Sequence, residues 1–369
     1  MRDPTPEGLT LHYAYGSIAD RRSLVVFGRR CMLAFYPEYS GYFGSTGVED
    51  SARSRFWSAA LSTGERSILV RGLLERWPRL AGPAFVTVLA SWLLFKTGAY
   101  FHQPAAALTH SSWFAHFAGA HVREPLEPTL ASAALQGAIL AFLRGDYTYD
   151  SSQWTMGYEF YGGFMVYSLG FLLVQGTTTG VRIVVIAGAA LACRLSSPVL
   201  APFVVGVALA ALLPRRASWA PASGAAGAVV LALLMSGYTR GAGGFCAGAT
   251  AARPAALPVS YVYAIAAAIL IAAAEGSSGM KAFLSRRWGV VSGEPSLPFY
   301  RVHVPMPGSL GAFTLIATGS KATAIAATLT SSLAAAWLLQ RFNPRWIDRL
   351  NVGVAALLSS AEKRQRQQA

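Results

Sequence analysis

Apolar residues gather along this chain into long runs separated by shorter polar breaks rich in arginine. A bilayer's hydrocarbon core asks for roughly 20 apolar residues as a helix, and the runs at 81–101, 197–213, 258–274 and 322–339 meet or approach that length. Those at 129–143, 160–174, 180–193, 224–238 and 304–318 are shorter or richer in glycine, which helices packed closely in lipid tolerate. The pattern predicts an all-α fold, a polytopic integral membrane helix bundle of about nine or ten apolar segments.

Composition points the same way. With 53% apolar and 13% charged residues, and a mean hydropathy of +0.40, the chain does not read as an ordinary soluble enzyme. The formal charge of +14 sits mostly between apolar runs, at Arg71, Arg76 and Arg79, at Arg215 and Arg216, and at Lys281, Arg286 and Arg287. Lipid headgroups and the cytoplasm are the partners this placement predicts. No soluble basic face interleaved with aromatics is visible, so nucleic acid is not an expected partner. Cys31, Cys193 and Cys246 lack paired spacing and predict neither a disulfide framework nor a zinc site. His102, His110, His116 and His121 fall between two apolar runs without the i,i+4 pair and following acid of a helical zinc site, and are expected in a solvated extracytoplasmic loop. No metal is expected.

Residues 1–22 lack the basic start and apolar middle of a cleavable signal, and the basic tail 361–369 is expected in the cytoplasm. If both that tail and the Arg71–Arg79 cluster are cytoplasmic, an even number of crossings separates them. The apolar segments counted between them are odd in number, so one does not span; the runs at 180–193 and 197–213 are the suspects, because Arg182 and Arg194 bracket too few apolar residues.

One acid breaks the apolar pattern. Glu159, in WTMGYEFYGG from Trp154, stands at the mouth of the run that continues through Val174, where an ionised carboxylate needs a specific reason. That segment, RWPRLAGP from Arg76 and SLPFYRVHVPMPGSLGA from Ser296 together resemble the acyltransferase 3 family, membrane-embedded O-acyltransferases of polysaccharides and glycolipids. The likeness runs from about residue 63 to 350, leaving 1–62 as a divergent N-terminal region and 351–369 as a basic cytoplasmic tail. Arg76 and Arg79 match the family's Arg-x-x-Arg element, Glu159 its acid after Trp-Thr, and His303 the histidine ending a run that begins at Tyr300. The resemblance implies transfer of an acyl group, commonly acetyl, from acyl-CoA to a hydroxyl of a polysaccharide or glycolipid. It implies a multi-pass protein of the cell membrane, with acyl-CoA as donor substrate and no permanently bound cofactor.

The residue chemistry is compatible with that division of labour. Guanidinium forks bind phosphate bidentately, so Arg76 and Arg79 suit the phosphates of CoA; their alternative is simple anchoring at a membrane edge. Acyl transfer to an alcohol needs a base for the hydroxyl proton and stabilisation of an oxyanion, work that His303 and Glu159 could share. Trp154, Tyr161 and Tyr300 frame these groups as expected substrate contacts. An interfacial histidine bonded to a backbone carbonyl, and an acid paired with Arg144, are the plainer alternatives.

The chain also departs from the family pattern. Aligning RRSLVVFGRRCMLAFYP from Arg21 on its Ala34–Pro37 end puts Arg29 or Arg30 where the family carries its histidine base, and a guanidinium cannot accept the hydroxyl proton. No apolar helix separates GYFGSTGVEDSARSRFWSAA from LSTGERSILVRGLLERWPRL, and Arg301 occupies an expected apolar position. These departures leave open a member that no longer catalyses, a member kept as a binding or transport partner, or an N-terminal sequence altered by a shifted reading frame. A transporter would call for repeated halves, which the sequence lacks, although Pro198, Pro202, Pro305 and Pro307 interrupt apolar stretches. Neither a GxSxG elbow nor a P-loop is present.

Overall fold

The structure, a computed structural model, describes residues 66–115, 117, 128–173, 178–212, 221–236, 259–284 and 296–368. Every regular element among them is helical: α1 (Arg66–Lys96), α2 (His102–Thr109), α3 (Ser112–Ala115), α4 (Leu130–Leu143), α5 (Thr155–Leu173), α6 (Thr179–Leu195), α7 (Ala201–Leu212), α8 (Ala222–Ser236), α9 (Val259–Gly276), α10 (Ser278–Leu284), α11 (Ser296–Val302), α12 (Ala312–Thr318) and α13 (Lys321–Gln368). They belong to two compact units. The described residues of the first fall within 77–157 and 296–368, and those of the second within 66–76 and 158–284.

In the first unit the long helices start and stop for local reasons. Helix α1 carries Pro78 and Pro83 inside it, and each removes an N–H from the ladder. Near these breaks the carbonyls of Pro78 and Leu80 accept hydrogen bonds from Trp346 Nε1 (2.8 Å) and Arg301 Nη1 (2.9 Å). Gly98, at φ +69°, turns the chain after α1, and Gly319, at φ +65°, caps α12. Thr129 opens α4 by accepting from the Ser132 amide, and a π-turn over Gln136–Leu140 lies within that helix. Helix α13 packs against α11, α12 and the π-turn Pro307–Gly311. Gly82 leaves room for the Trp346 indole, which any Cβ there would strike.

The second unit is built on apolar packing. Leu169 and Leu173 of α5, Ile186 and Cys193 of α6, and Val204 and Val207 of α7 form one buried cluster, while α9 packs on α7 and α8. The opposite edge of α6 is apolar and exposed, with Val184 at 70% and Leu195 at 78%.

By length and composition two described helices can cross a membrane, Leu69–Lys96 and Lys321–Val354. A third crossing follows if Tyr261–Ala274 and Ser278–Leu284, which meet at 98°, form one broken span. The expected spans thus change in outline. The run at 81–101 belongs to a helix that starts fifteen residues earlier, at Arg66, and stops at Lys96. The run at 197–213 opens on a 3₁₀ turn (Pro198–Leu200) and leaves only the short α7, because Pro198 starts the chain anew there. The run at 322–339 is the first part of a helix that continues to Gln368, through the segment assigned to a separate tail.

The expectation of a solvated histidine loop needs correction at His102, whereas His110 is exposed. His102 is buried in the first turn of α2, at 5.3 Å from the ring of Phe117 and 6.0 Å from that of Tyr100, so apolar packing rather than solvent surrounds it. His110 ends that helix in the left-handed region at φ 52°. His116 and His121 lie outside the described residues, as do the N-terminal region 1–62, Cys31, Cys246, Arg215, Arg216, Arg286 and Arg287.

Candidate functional site

Helices α1 and α5 bring Arg76 and Glu159 of the second unit together. Arg76 Nη2 donates to Glu159 Oε2 at 3.0 Å and to the Glu159 main-chain oxygen at 2.8 Å, with both residues about 95% buried. Desolvating either charge alone costs several kcal/mol, roughly the size of a whole domain's margin of stability, so direct pairing is what lets both stay inside. One turn after Glu159, Gly163 lacks the Cβ that would collide with the Arg76 guanidinium. The acid therefore meets Arg76 and not Arg144, which is exposed. A second ion pair, Arg71 with Glu75 at 2.7 Å, lies one turn earlier on α1.

The first unit holds a polar cluster that begins at Asp150. Its side chain caps the 3₁₀ turn Ser151–Trp154, accepting from the Ser152 amide at 3.0 Å and from Gln153 Nε2 at 2.9 Å. Gln153 Nε2 also reaches Thr87 Oγ1 of α1 at 3.0 Å. The Ser152 hydroxyl stands 2.8 Å from Asp150 Oδ1 and 3.3 Å from the Arg301 carbonyl oxygen. Arg301, on α11 and only 1% exposed, donates to the Leu80 carbonyl and adds its charge to the same neighbourhood. Burial pushes the Asp150 carboxyl up to about 6; hydrogen bonds from Gln153 and Ser152, and then the Arg301 charge, hold it from rising further.

Helix α11 and the turn that follows it present Tyr300 and His303. The buried Tyr300 hydroxyl donates to Thr155 Oγ1 at 3.1 Å. His303 Nδ1 bonds to the Tyr300 carbonyl oxygen, and since a carbonyl only accepts, Nδ1 carries the proton. In the neutral ring Nε2 is then the proton acceptor. Phe299 lies parallel to the imidazole, with ring centres 6.3 Å apart and planes at 15°. Burial lowers the His303 pKa from 6.5, the carbonyl bond opposing it, so the ring is predominantly neutral at neutral pH.

The other expected site residues distribute as follows. Arg79, partly buried in the first unit, donates to Asn351 Oδ1 at 3.3 Å. Trp154 is half-buried in the 3₁₀ turn of the first unit, and Tyr161, in the second, is 48% exposed. Arg76 and Glu159 are thus one pair, and Tyr300 and His303 another. Among the described residues no group of three His, Cys, Asp or Glu side chains could hold a metal ion.

Comparisons with family models, with curated proteins and with solved structures found no match.

Sequence reasoning passed over Asp150, Ser152 and Gln153, and it met Arg301 only as an anomaly. The Asp-Ser-Ser order before Trp154 was the available signal, since it reads as a helix-capping box edge; what it could not carry is the burial of that cap beside an arginine 151 positions later in the chain. Chemically, this cluster offers a neutral imidazole acceptor held by its own backbone and a buried carboxyl that titrates in the mildly acidic range.

Proposed function

We propose that the chain is a membrane O-acyltransferase that moves an acyl group, acetyl in the simplest case, from acyl-CoA to a hydroxyl of a polysaccharide or glycolipid. The observation that carries this reading is the His303 ring, whose Nδ1 is fixed on the Tyr300 carbonyl so that Nε2 is an oriented acceptor. In this reading Nε2 takes the acceptor hydroxyl proton as its oxygen attacks the thioester carbonyl, the C–S bond breaks as the tetrahedral intermediate collapses, and the imidazolium returns the proton to sulfur so that CoA leaves as the thiol. Tyr300 and Thr155 brace the helix turn that aims the ring. On residue type Arg76 and Arg79 are the candidates for the CoA phosphates, Arg79 being the partly buried one and Arg76 the one held by Glu159. The resemblance carried by the segments at Arg76, Trp154 and Ser296 supports the same assignment. The proposal includes the finer topology, a multi-pass protein of the cell membrane with about nine or ten apolar segments, of which the shorter helices Leu130–Leu143, Pro198–Ala211 and Ser223–Met235 are part.

The test is release of free thiol from acetyl-CoA by the purified, detergent-solubilised chain across a panel of sugar acceptors. His303→Ala is expected to abolish release, and the acidic limb of the rate profile is expected below pH 6.5, the ordinary histidine value. Release that survives His303→Ala removes the base assignment.

A second reading, a non-catalytic member that binds acyl-CoA or a partner helix, is favoured by the Arg76–Glu159 pair, which has the form of a buried structural bridge. Acyl-CoA binding without thiol release from any acceptor would support it over the first.

A further inference from the structure

Helix α13 carries a continuous ridge with a spacing of four: Lys321, Ile325, Leu329, Leu333, Trp337, Arg341, Arg345 and Arg349, all of them exposed. Residues at i and i+4 are neighbours on a helix surface, so these side chains form one row. Beside the middle of this row Ser332, Ala336 and Leu339 are buried, with Val302 of α11 packed on the last two, and the row winds gradually round the helix by about 40° per step of four at 3.6 residues per turn. The row is apolar in its middle and basic at its ends. From Lys321 to Arg341 the helix rises roughly 30 Å at about 1.5 Å per residue, which is the thickness of a hydrocarbon core.

Charge along the row is asymmetric, a single lysine at one end and three arginines at the other. At the arginine end the Arg341 guanidinium lies 3.5 Å from the centre of the Trp337 ring, an aromatic–cation arrangement suited to the depth where acyl chains give way to headgroups. Neither the Arg71–Glu75 nor the Arg76–Glu159 ion pair uses the ridge arginines. Asp348 is exposed on the adjoining face and is the one acid close by in sequence.

We propose that the Arg341–Arg345–Arg349 ridge, bounded by Trp337, binds the headgroup phosphates of anionic phospholipids, with Leu329 and Leu333 along their acyl chains. Guanidinium groups suit phosphate oxygens by shape as well as charge, and the apolar continuation of the same row suits a lipid and not a free phosphate or an acidic peptide. The ridge end then faces the anionic cytoplasmic leaflet, which fixes the direction of α13 in the membrane. None of this depends on acyl transfer.

The experiment uses the full chain in nanodiscs of phosphatidylcholine alone and of an equal mixture with phosphatidylglycerol, with retained lipids counted by native mass spectrometry. Wild type is expected to enrich phosphatidylglycerol, and each of Arg345→Gln and Arg349→Gln to reduce that enrichment by up to roughly five-fold, the effect of one basic residue near an anionic surface. The Arg341→Gln/Arg345→Gln/Arg349→Gln variant is expected to show no preference, and the corresponding triple lysine variant to keep part of it. These positions are exposed, and circular dichroism together with gel-filtration elution checks that each variant keeps its fold. The proposal is overturned if wild type shows no preference or if the triple glutamine variant keeps it. It is equally overturned if inorganic phosphate or polyglutamate displaces phosphatidylglycerol at a concentration equal to that of the lipid.

Discussion

Arg76 and Arg301 are both buried arginines, and the chain treats them differently. Arg76 of the second unit faces a full opposite charge, Glu159, across a two-helix contact that Gly163 keeps open. Arg301 of the first unit donates to a helix carbonyl and shares its surroundings with neutral dipoles and a carboxyl whose own charge is held back by burial. The first arrangement sets a full charge against a full opposite charge, so its loss is abrupt. The second sets the charge against the Leu80 carbonyl, with the Asp150 carboxyl in the same neighbourhood, so it yields by degrees and responds to pH.

The sharpest way to break this contrast is to remove Glu159. Glu159→Leu leaves the Arg76 charge buried against an apolar side chain and is expected to cost about 3–5 kcal/mol in denaturant unfolding. Adding Arg76→Met is expected to recover most of that, since a buried ion pair replaced by apolar residues of similar volume is often close to neutral. If the double variant is no more stable than the single one, the pair is not the source of the cost.

Next in size is the pH response of the first unit. The Asp150 carboxyl is raised in the folded state from 3.8 to about 6, so the folded chain holds its proton more tightly than the unfolded chain does. This contribution is complete below pH 3.8 and is lost as pH rises to about 6, over a span of up to roughly 3 kcal/mol. Unfolding measured across that window should show stability falling with pH in the wild type. Asp150→Asn should flatten the fall, because the amide does not titrate; an unchanged slope would assign it to other groups.

Gly163→Ala comes third. Its Cβ meets a guanidinium that Glu159 holds in place, and overpacking of this kind costs about 1–3 kcal/mol. The penalty should shrink in an Arg76→Ala background, and an additive result would separate Gly163 from the pair. The smallest effect is expected at Tyr300→Phe, which removes a hydrogen bond to Thr155 Oγ1 and should cost about 1 kcal/mol with little change in fold by circular dichroism. A much larger loss there would mean that the cluster acts as one cooperative unit and not by degrees.

Much of this was legible in residue type. An acid on an apolar run announced that Glu159 needed a partner, and Tyr300 with His303 on one helix turn followed from their spacing. The partner itself was not legible, since Arg144 and Arg76 were equally available to a reader of the chain. The aromatic setting of His102 was also hidden, because a histidine beside a proline reads as loop until α2 is seen packed on α12.

The sequence by itself determined that the chain is helical and apolar, since run length and side-chain chemistry are local properties that survive any arrangement of helices. It also determined which side chains could do chemistry. Tertiary structure alone decided which partner each buried charge meets: Arg76 finds the Glu159 carboxylate across 83 positions, and Arg301 the Leu80 carbonyl across 221. Those pairings follow from helix packing, from a glycine that permits close approach and from prolines that interrupt a backbone ladder. The free energy of a buried charge depends on what surrounds it, and a sequence read residue by residue does not contain those surroundings.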